Sequence, residues 1–335
     1  MRPETTRDST FDQLKGLLVL LMVAYHVLSI ASTAPAESFR YIRFISGSFI
    51  FISGYVISHF MLADFRASPR VATVRLIKRG LKIVLLFTAL NLALRSSGFG
   101  NAEKLALGAA REPAQLAWVY LTADPRLASF IILLPIGYLL VAAPAILALA
   151  LVQRRTRTVA AALLAIALVL GAIPAVTDSS ANVEFMLVGL IGLSTGLLFG
   201  GPKRARAPNA LAAAVGVVVS VWLTAQLGTT VSGYAIGIAL LLGSAAALVV
   251  ALPQIAPVEA TLTALGRYSL ICYIAQIAII QAVFKATASQ RWDAAAPVTA
   301  LGIATALLLV ALCVALDTVR RESALADRSY RLVFS

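Results

Sequence analysis

Charge is scarce in this chain. Only 13% of its 335 residues are Asp, Glu, Lys or Arg, against about 25% in a soluble domain. No stretch is both polar and long enough to form a separate soluble domain. Acidic residues are the scarcest charges, 15 against 28 Lys and Arg, so the net charge is +13. That excess does not point to nucleic acid, because no Lys/Arg tract is interleaved with aromatics and the charge sits in short loops between apolar runs. Cysteine is nearly absent. Cys272 and Cys313 both lie inside apolar runs, which gives neither a disulfide framework nor a metal site. Histidine occurs twice, as His26 and His59. An internal repeat, common in secondary transporters, is not evident either.

What remains is apolar: 60% of the residues are hydrophobic and the mean hydropathy is +0.90. The pattern predicts an all-α, polytopic membrane bundle of about ten spans. They fall near 12–33, 41–62, 80–94, 126–152, 158–176, 185–200, 210–228, 234–252, 265–284 and 298–316. Residues 1–335 form one transmembrane domain in this scheme, with short tails at 1–11 and 317–335. The third span is short unless its basic first turns extend the helix. The fourth contains Pro135 and Pro144, which free backbone carbonyls and bend a helix. The polar connection 95–125 has an apolar middle, 114–121, suited to an interfacial or re-entrant helix. With the N-terminus inside, 20 of the 28 Lys and Arg lie in inner segments and 8 in outer ones. The positive-inside rule therefore places both termini in the cytoplasm. Arg2, Arg7 and Lys15 before an apolar run, with Ala31 to Ala34 after it, have the outline of a signal peptide. Tyr25 and His26 are out of place in such an apolar core.

The most informative stretch is Asp12 to His26. Lys15 stands at the mouth of an apolar helix, and His26 follows eleven residues later. Eleven residues are about three turns, so both lie on one face, roughly 16 Å apart along the axis. With Lys15 at the membrane boundary, His26 lies near the middle of a hydrocarbon layer about 30 Å thick. An intramembrane ionisable residue marks a functional site by default. The bland alternative for His26 is a structural polar contact, and for Lys15 simple positive-inside anchoring. A second feature is the run Arg75, Lys78, Arg79 and Lys82 at the start of the third span, which is either topological charge or an anion site. His59 sits close to the inner Ala63-Asp64 boundary, as an interfacial residue would. Ser53-Gly54 suits close helix packing. Trp118, Asp124, Asp178 and Glu184 fall on the outer side, as solvated loop residues or as the lining of an acceptor site.

These motifs resemble the acyltransferase family 3 membrane proteins. Asp12-Gln-Leu14-Lys15-Gly16 with His26 resembles that family's first-helix motif, and Phe51-Ile-Ser53-Gly54-Tyr55 its second helix. Arg79-Gly-Leu-Lys82 resembles the basic pair opening its third helix. Leu265-Gly266-Arg267-Tyr268-Ser269, with Tyr273 and Gln276, resembles its late helix motif. Lys15 and Lys82 stand where Arg is commoner, which keeps the charge and loses the bidentate fork. Gln276 stands where many members have His, and a Pro often found after the third-helix pair is missing. Arg7-Asp8 and the second-helix wording also resemble the branch that adds succinyl groups to periplasmic glucans.

The resemblance implies an O-acyltransferase in the bacterial inner membrane. It would move an acyl group, acetyl or succinyl, from cytoplasmic acyl-CoA to a hydroxyl of an extracytoplasmic or lipid-linked glycan. It implies His26, Asp12 and Lys15 as catalytic residues and Arg75, Lys78, Arg79 and Lys82 as donor-binding ones. Tyr25, Ser53, Tyr55, Tyr273, Gln276 and Glu184 would line the cavity or the acceptor site. Acyl-CoA would be a co-substrate; no permanently bound cofactor, no metal and no nucleic acid are expected, and membrane lipids are partners. Acyl transfer to a hydroxyl needs a base, and His is the usual one because its pKa lies near neutrality. His26 also suits the role of a nucleophile that carries the acyl group. A proton-coupled transporter or flippase is the alternative from a different class.

Overall fold

The computed structural model of the chain describes residues 9–33, 39, 41–42, 44–97, 113–123, 128–152, 156–177, 180–199, 209–228, 230–252, 255–287 and 292–334. Arg7, Asp8, Asp124, Asp178 and the basic loops at 153–155 and 200–208 lie outside the described residues. The protein forms the all-α membrane fold expected from its sequence. Among the described residues no strand forms, apart from an isolated bridge between Ser32 and Trp292.

The helices are α1 (Ser9–Ala31), α2 (Phe44–Ala67), α3 (Pro69–Ser97), α4 (Pro113–Thr122), α5 (Leu133–Val152), α6 (Thr156–Gly171), α7 (Pro174–Thr177), α8 (Ala181–Phe199), α9 (Ala210–Leu227), α10 (Val231–Ala251), α11 (Ala256–Arg267), α12 (Ser269–Ala286), α13 (Ala295–Glu322) and α14 (Ala324–Phe334). Eight of these, α1, α2, α5, α8, α9, α10, α12 and α13, are long and apolar enough to cross a membrane. The other two predicted spans correspond to α3, 29 residues long with its basic turns built into the helix, and to α6, 16 residues long. The apolar middle of the 95–125 connection is helical, as α4.

Three boundaries differ from the sequence expectation. The fourth span starts at Leu133 rather than 126, because Phe130 has a φ of 57° and breaks the helix there. Pro135 therefore falls in the first turn of α5, where no helical N–H is lost, and only Pro144 is inside the helix. The fifth span stops at Gly171, ahead of Pro174, which opens the separate turn α7. The ninth span is divided: Leu265 and Gly266 lie in the last turn of α11, which ends at Arg267, and Tyr268 (φ −100°, ψ 19°) is at once the C-cap of α11 and the N-cap of α12.

The chain divides into two compact units. One comprises Met1–Ile45, Ala205–Trp222 and Leu240–Ser335; the other comprises Ser46–Arg204 and Leu223–Ala239. In the first unit α1 packs most extensively against α11. A Cβ at Gly16 would overlap the Leu262 carbonyl, and one at Gly266 would overlap the Asp12 carbonyl. Two backbones in contact need glycine on each side, which is how membrane helices associate where lipid leaves little hydrophobic drive. In the second unit α3 crosses α5 with Gly80 against Gly137, and α2 crosses α8 with Gly54 against Gly189 and Gly192 against Phe51. Leu76, Leu139, Leu147 and Leu193 are fully buried there. Ser53-Gly54 thus sits at a packing crossing, as small residues do in membranes.

This geometry predicts opposite effects for two glycines. Gly266→Ala should lower the melting temperature in detergent, by overpacking worth about 1–3 kcal/mol. Gly302, in α13, has open space where a Cβ would stand, so Gly302→Ala should be neutral or stabilising by up to about 1 kcal/mol. Equal melting of the two variants would show that the α1–α11 crossing is looser than this.

Candidate active site

The first unit holds the α1 motif. Asp12 is 3% exposed, covered because its own carbonyl lies against Gly266. Lys15 Nζ is 3.8 Å from Asp12 Oδ1, with side-chain exposures of 23% and 4%. One residue on from Asp12, Gln13 Nε2 donates to Glu259 Oε1 of α11 at 3.3 Å.

The His26 imidazole sits among aromatics. Its ring centroid is 5.4 Å from that of Tyr25, edge-on, and 6.1 Å from that of Tyr273 on α12. Tyr25 in turn meets Phe39 edge-on at 6.0 Å. His26 is half-buried and its Nδ1 atom is fully covered. It is the eighteenth of the 23 residues of α1, so it lies in the last third of the helix, about 8 Å from the Ala31 end. That end is pinned by Trp292 N–H donating to Ala31 O at 2.8 Å and by Thr33 Oγ1 donating to Asp293 Oδ1 at 2.5 Å. α1 therefore runs alongside α12, from the α11–α12 junction to the α12–α13 connection. Gln276, one turn beyond Tyr273, is fully buried.

The α11–α12 junction carries a polar network that the sequence did not announce. The Tyr268 hydroxyl bonds Asp317 Oδ1 and receives Arg320 Nη1 at 2.9 Å. Arg320 also donates to Asp327 Oδ1 at 2.7 and 3.0 Å and lies 3.9 Å over the Tyr330 ring. Arg267 reaches Asp317 at 3.4 Å. Burial pushes the Tyr268 phenol above its ordinary pKa, and its bond to Asp317 adds to that, so the hydroxyl stays a neutral donor. The signals in the sequence were slight. Tyr268 is an unspecified position of the late motif, and Asp317 is a single acid at the end of a long apolar run.

The second unit holds the other predicted residues. Arg75, Lys78, Arg79 and Lys82 recur at helical spacing on one face of α3. The first three are exposed and Lys82 is half-buried. Arg75 is bonded to Asp64 of α2 at 2.7 Å, with both side chains about half exposed, a pair worth about 1 kcal/mol or less. Ser53 Oγ donates to its own helix at Phe49 O, 2.7 Å away, and so is engaged in a local back-bond. The Tyr55 ring stacks on His59 one turn later, centroids 5.5 Å apart. Glu184 lies half-buried in the first turn of α8. Trp118 of α4 is exposed.

The structure thus brings Asp12 to Lys15 and His26 to Tyr25 and Tyr273, and lines up the four cations of α3. It does not bring Lys15 to His26, which share a helix face about three turns apart. A family model described as an acyltransferase domain, acyltransferase 3, matches residues 8–318. The chain belongs to the acyltransferase-3 family. No curated protein and no solved structure matches it. It is an integral membrane acyltransferase that transfers groups other than aminoacyl groups. Within this acyltransferase-3 chain the first-helix stretch Asp12 to Gly16 and the late stretch Leu265 to Ser269 meet at the α1–α11 crossing.

The Asp12–Lys15 pair yields a test of its own. Lys15→Met removes the cation that stands 3.8 Å from the buried Asp12 carboxylate; breaking a fully buried pair costs about 3–5 kcal/mol, and the partial exposure of Lys15 lowers that to about 1–3 kcal/mol. Adding Asp12→Asn should recover part of the lost stability. Strictly additive losses across the double-mutant cycle would show that the two do not act as a pair.

Proposed function

We propose that the protein moves an acetyl or succinyl group from cytoplasmic acyl-CoA to a hydroxyl of an extracytoplasmic or lipid-linked glycan, in the bacterial cytoplasmic membrane. The observation that carries this is the placement of His26 against Tyr25 and Tyr273, in the motif that marks the family. The loop charges support cytoplasmic termini. In that orientation Lys15 stands at the inner end of α1, and His26 lies in the outer third, where an extracytoplasmic hydroxyl would approach.

The chemistry needs an imidazole that is neutral before it takes the proton. In the direct route the acceptor hydroxyl oxygen attacks the thioester carbonyl carbon while His26 takes its proton. The C–O bond forms, the C–S bond breaks, and the departing CoA thiolate takes the proton back. In the covalent route the imidazole nitrogen attacks the thioester carbonyl carbon and CoA leaves as the thiol with the imidazole proton; the acceptor oxygen then attacks the same carbon, the C–N bond breaks, and the hydroxyl proton passes to the freed imidazole. Both routes depend on His26. The CoA phosphates, too costly to bring into hydrocarbon, would stay at the basic face formed by Lys78, Arg79 and Lys82.

His26→Gln keeps size and some hydrogen bonding but supplies no base. It should reduce transfer from acyl-CoA by about 10²–10⁴-fold while the purified protein melts as wild type does and still binds CoA. Near-normal turnover would make His26 a structural residue. A second experiment concerns the donor. Arg79→Ala with Lys82→Ala should raise KM for acyl-CoA roughly tenfold or more and change kcat less, because remote phosphate contacts contribute largely uniform binding. An unchanged KM in a folded variant would leave these residues a topological role only.

A further inference from the structure

Two side chains in the first unit stand out for being polar, fully buried and unsatisfied. Gln276 on α12 and Thr305 on α13 are each 0% exposed. Among the described residues, Gln276 Oε1 and Nε2 and Thr305 Oγ1 have no hydrogen-bond partner. Thr305 lacks even the bond to its own helix that Ser53, Thr88 and Thr195 make. A buried polar group left unmade costs about 1–3 kcal/mol, and in an apolar bundle water does not relieve it.

The two belong to one place. Cys272 Sγ and Cys313 Sγ are 3.4 Å apart, which sets the register of α12 against α13. The short connection between these helices makes them antiparallel. Gln276 lies four residues from Cys272 and Thr305 eight residues from Cys313, both towards the connection. Their axial positions therefore differ by about 6 Å, roughly one turn. Thr305 lies on the buried stripe Val298, Leu301, Thr305, Leu309 and Cys313, the face of α13 that packs against α1 and α12. Gln276 is one turn from Tyr273, whose ring is 6.1 Å from that of His26. Side chains three residues apart on a helix have Cβ atoms about 5–6 Å apart.

We infer that Gln276 Nε2–H and Thr305 Oγ1–H are the donors that receive the carbonyl oxygen of the thioester as it becomes an oxyanion. This rests on the acyl-transfer reaction proposed above. When the acceptor oxygen bonds to the carbonyl carbon, the C=O electron pair moves onto that oxygen; when the C–S bond breaks, it returns. Donors held in a water-excluded site and free of competing partners favour the charged stage over the neutral one. A neutral amide and a hydroxyl suit an apolar bundle better than a cation, because they carry no charge to desolvate while the site is empty.

The test uses Gln276→Leu and Thr305→Val, which delete the donors and keep the shapes, with Thr305→Ser, which keeps the hydroxyl. Turnover of an acyl-CoA and melting temperature are measured for each in detergent. Losing one oxyanion donor reduces kcat by about 10²–10³-fold. The expected result is such a fall for Gln276→Leu and Thr305→Val, with KM for the donor within a few-fold of wild type. Their melting temperature should be unchanged or higher, because an unsatisfied buried polar group has been removed, and Thr305→Ser should stay near wild type. If both apolar variants turn over within about threefold of wild type, the pair takes no part and the inference fails. It also fails if they lose melting temperature together with activity, which would assign the polar atoms to partners inside the fold, or if Thr305→Ser is as damaged as Thr305→Val. A wild-type chain that turns over no acyl-CoA would remove the proposed reaction itself; active wild type with active variants would overturn this inference alone.

Discussion

Much of the first unit follows from one backbone contact. α1 and α11 approach until Gly16 touches Leu262 and Gly266 touches Asp12, with no side chain between them. Within lipid, apolar side chains gain little from each other's company, so close backbone packing and polar contacts must hold helices together. The crossing has two consequences. It buries Asp12 and leaves Lys15 beside it as a cation at short range. It also fixes where the chain turns: α11 ends at Arg267, Tyr268 caps both helices, and Tyr273 comes only five residues later. The ring that faces His26 is thus placed from the α11–α12 junction, and that junction is placed by the glycines.

The junction is secured a second time by hydrogen bonds. Tyr268 is almost wholly buried, and its hydroxyl lies between a carboxylate and a guanidinium, Asp317 and Arg320. Arg320 then holds Asp327 of α14. Neither the buried phenol nor the acid would be stable there alone. Together they make charge-assisted bonds in a region of low dielectric, where such bonds are stronger and broken networks more costly. This satisfied network contrasts with Gln276 and Thr305 in the same unit. The first has the arrangement of a structural fastening and the second that of groups waiting for something.

The sequence made the bundle legible because hydropathy alone imposes it: a chain with 13% charge and long apolar runs has few folds open to it. All ten predicted spans contain a helix, and the basic extension of α3 was readable from Arg75 to Lys82. What escaped was set by contacts rather than by pattern. The ninth apolar run hides a break at Tyr268, because α11 and α12 are contiguous in hydropathy and differ only in what Gly266 packs against. Pro135 looked like an interior proline because the irregular stretch that Phe130 ends has no mark in composition. In the site, the Asp12–Lys15 and His26 positions were visible through helical spacing. The partnership of His26 with Tyr273 joins residues nearly 250 positions apart, and the spacing within one helix holds no trace of it. Thr305 was invisible for a similar reason. A lone Thr in an apolar helix ordinarily bonds back to its own backbone, and only the fold shows that this one does not.

The layout finally separates two electrostatic tasks that would conflict at one point. Holding an anionic carrier calls for cations, and in the first unit Lys15 stands in the N-terminal third of α1. Moving an acyl group calls for a base that stays neutral, and a cation at close range disfavours protonation but also demands its own solvation in hydrocarbon. Three helical turns between Lys15 and His26 relieve that conflict. Over about 16 Å the charge can keep water while the imidazole keeps aromatics. In the proposed reaction only the neutral thioester has to cross that distance. The charges arising at His26's level, on the protonated imidazole, the oxyanion and the departing thiolate, are all transient, and neutral donors can stabilise the oxyanion without holding a permanent ion in the membrane interior.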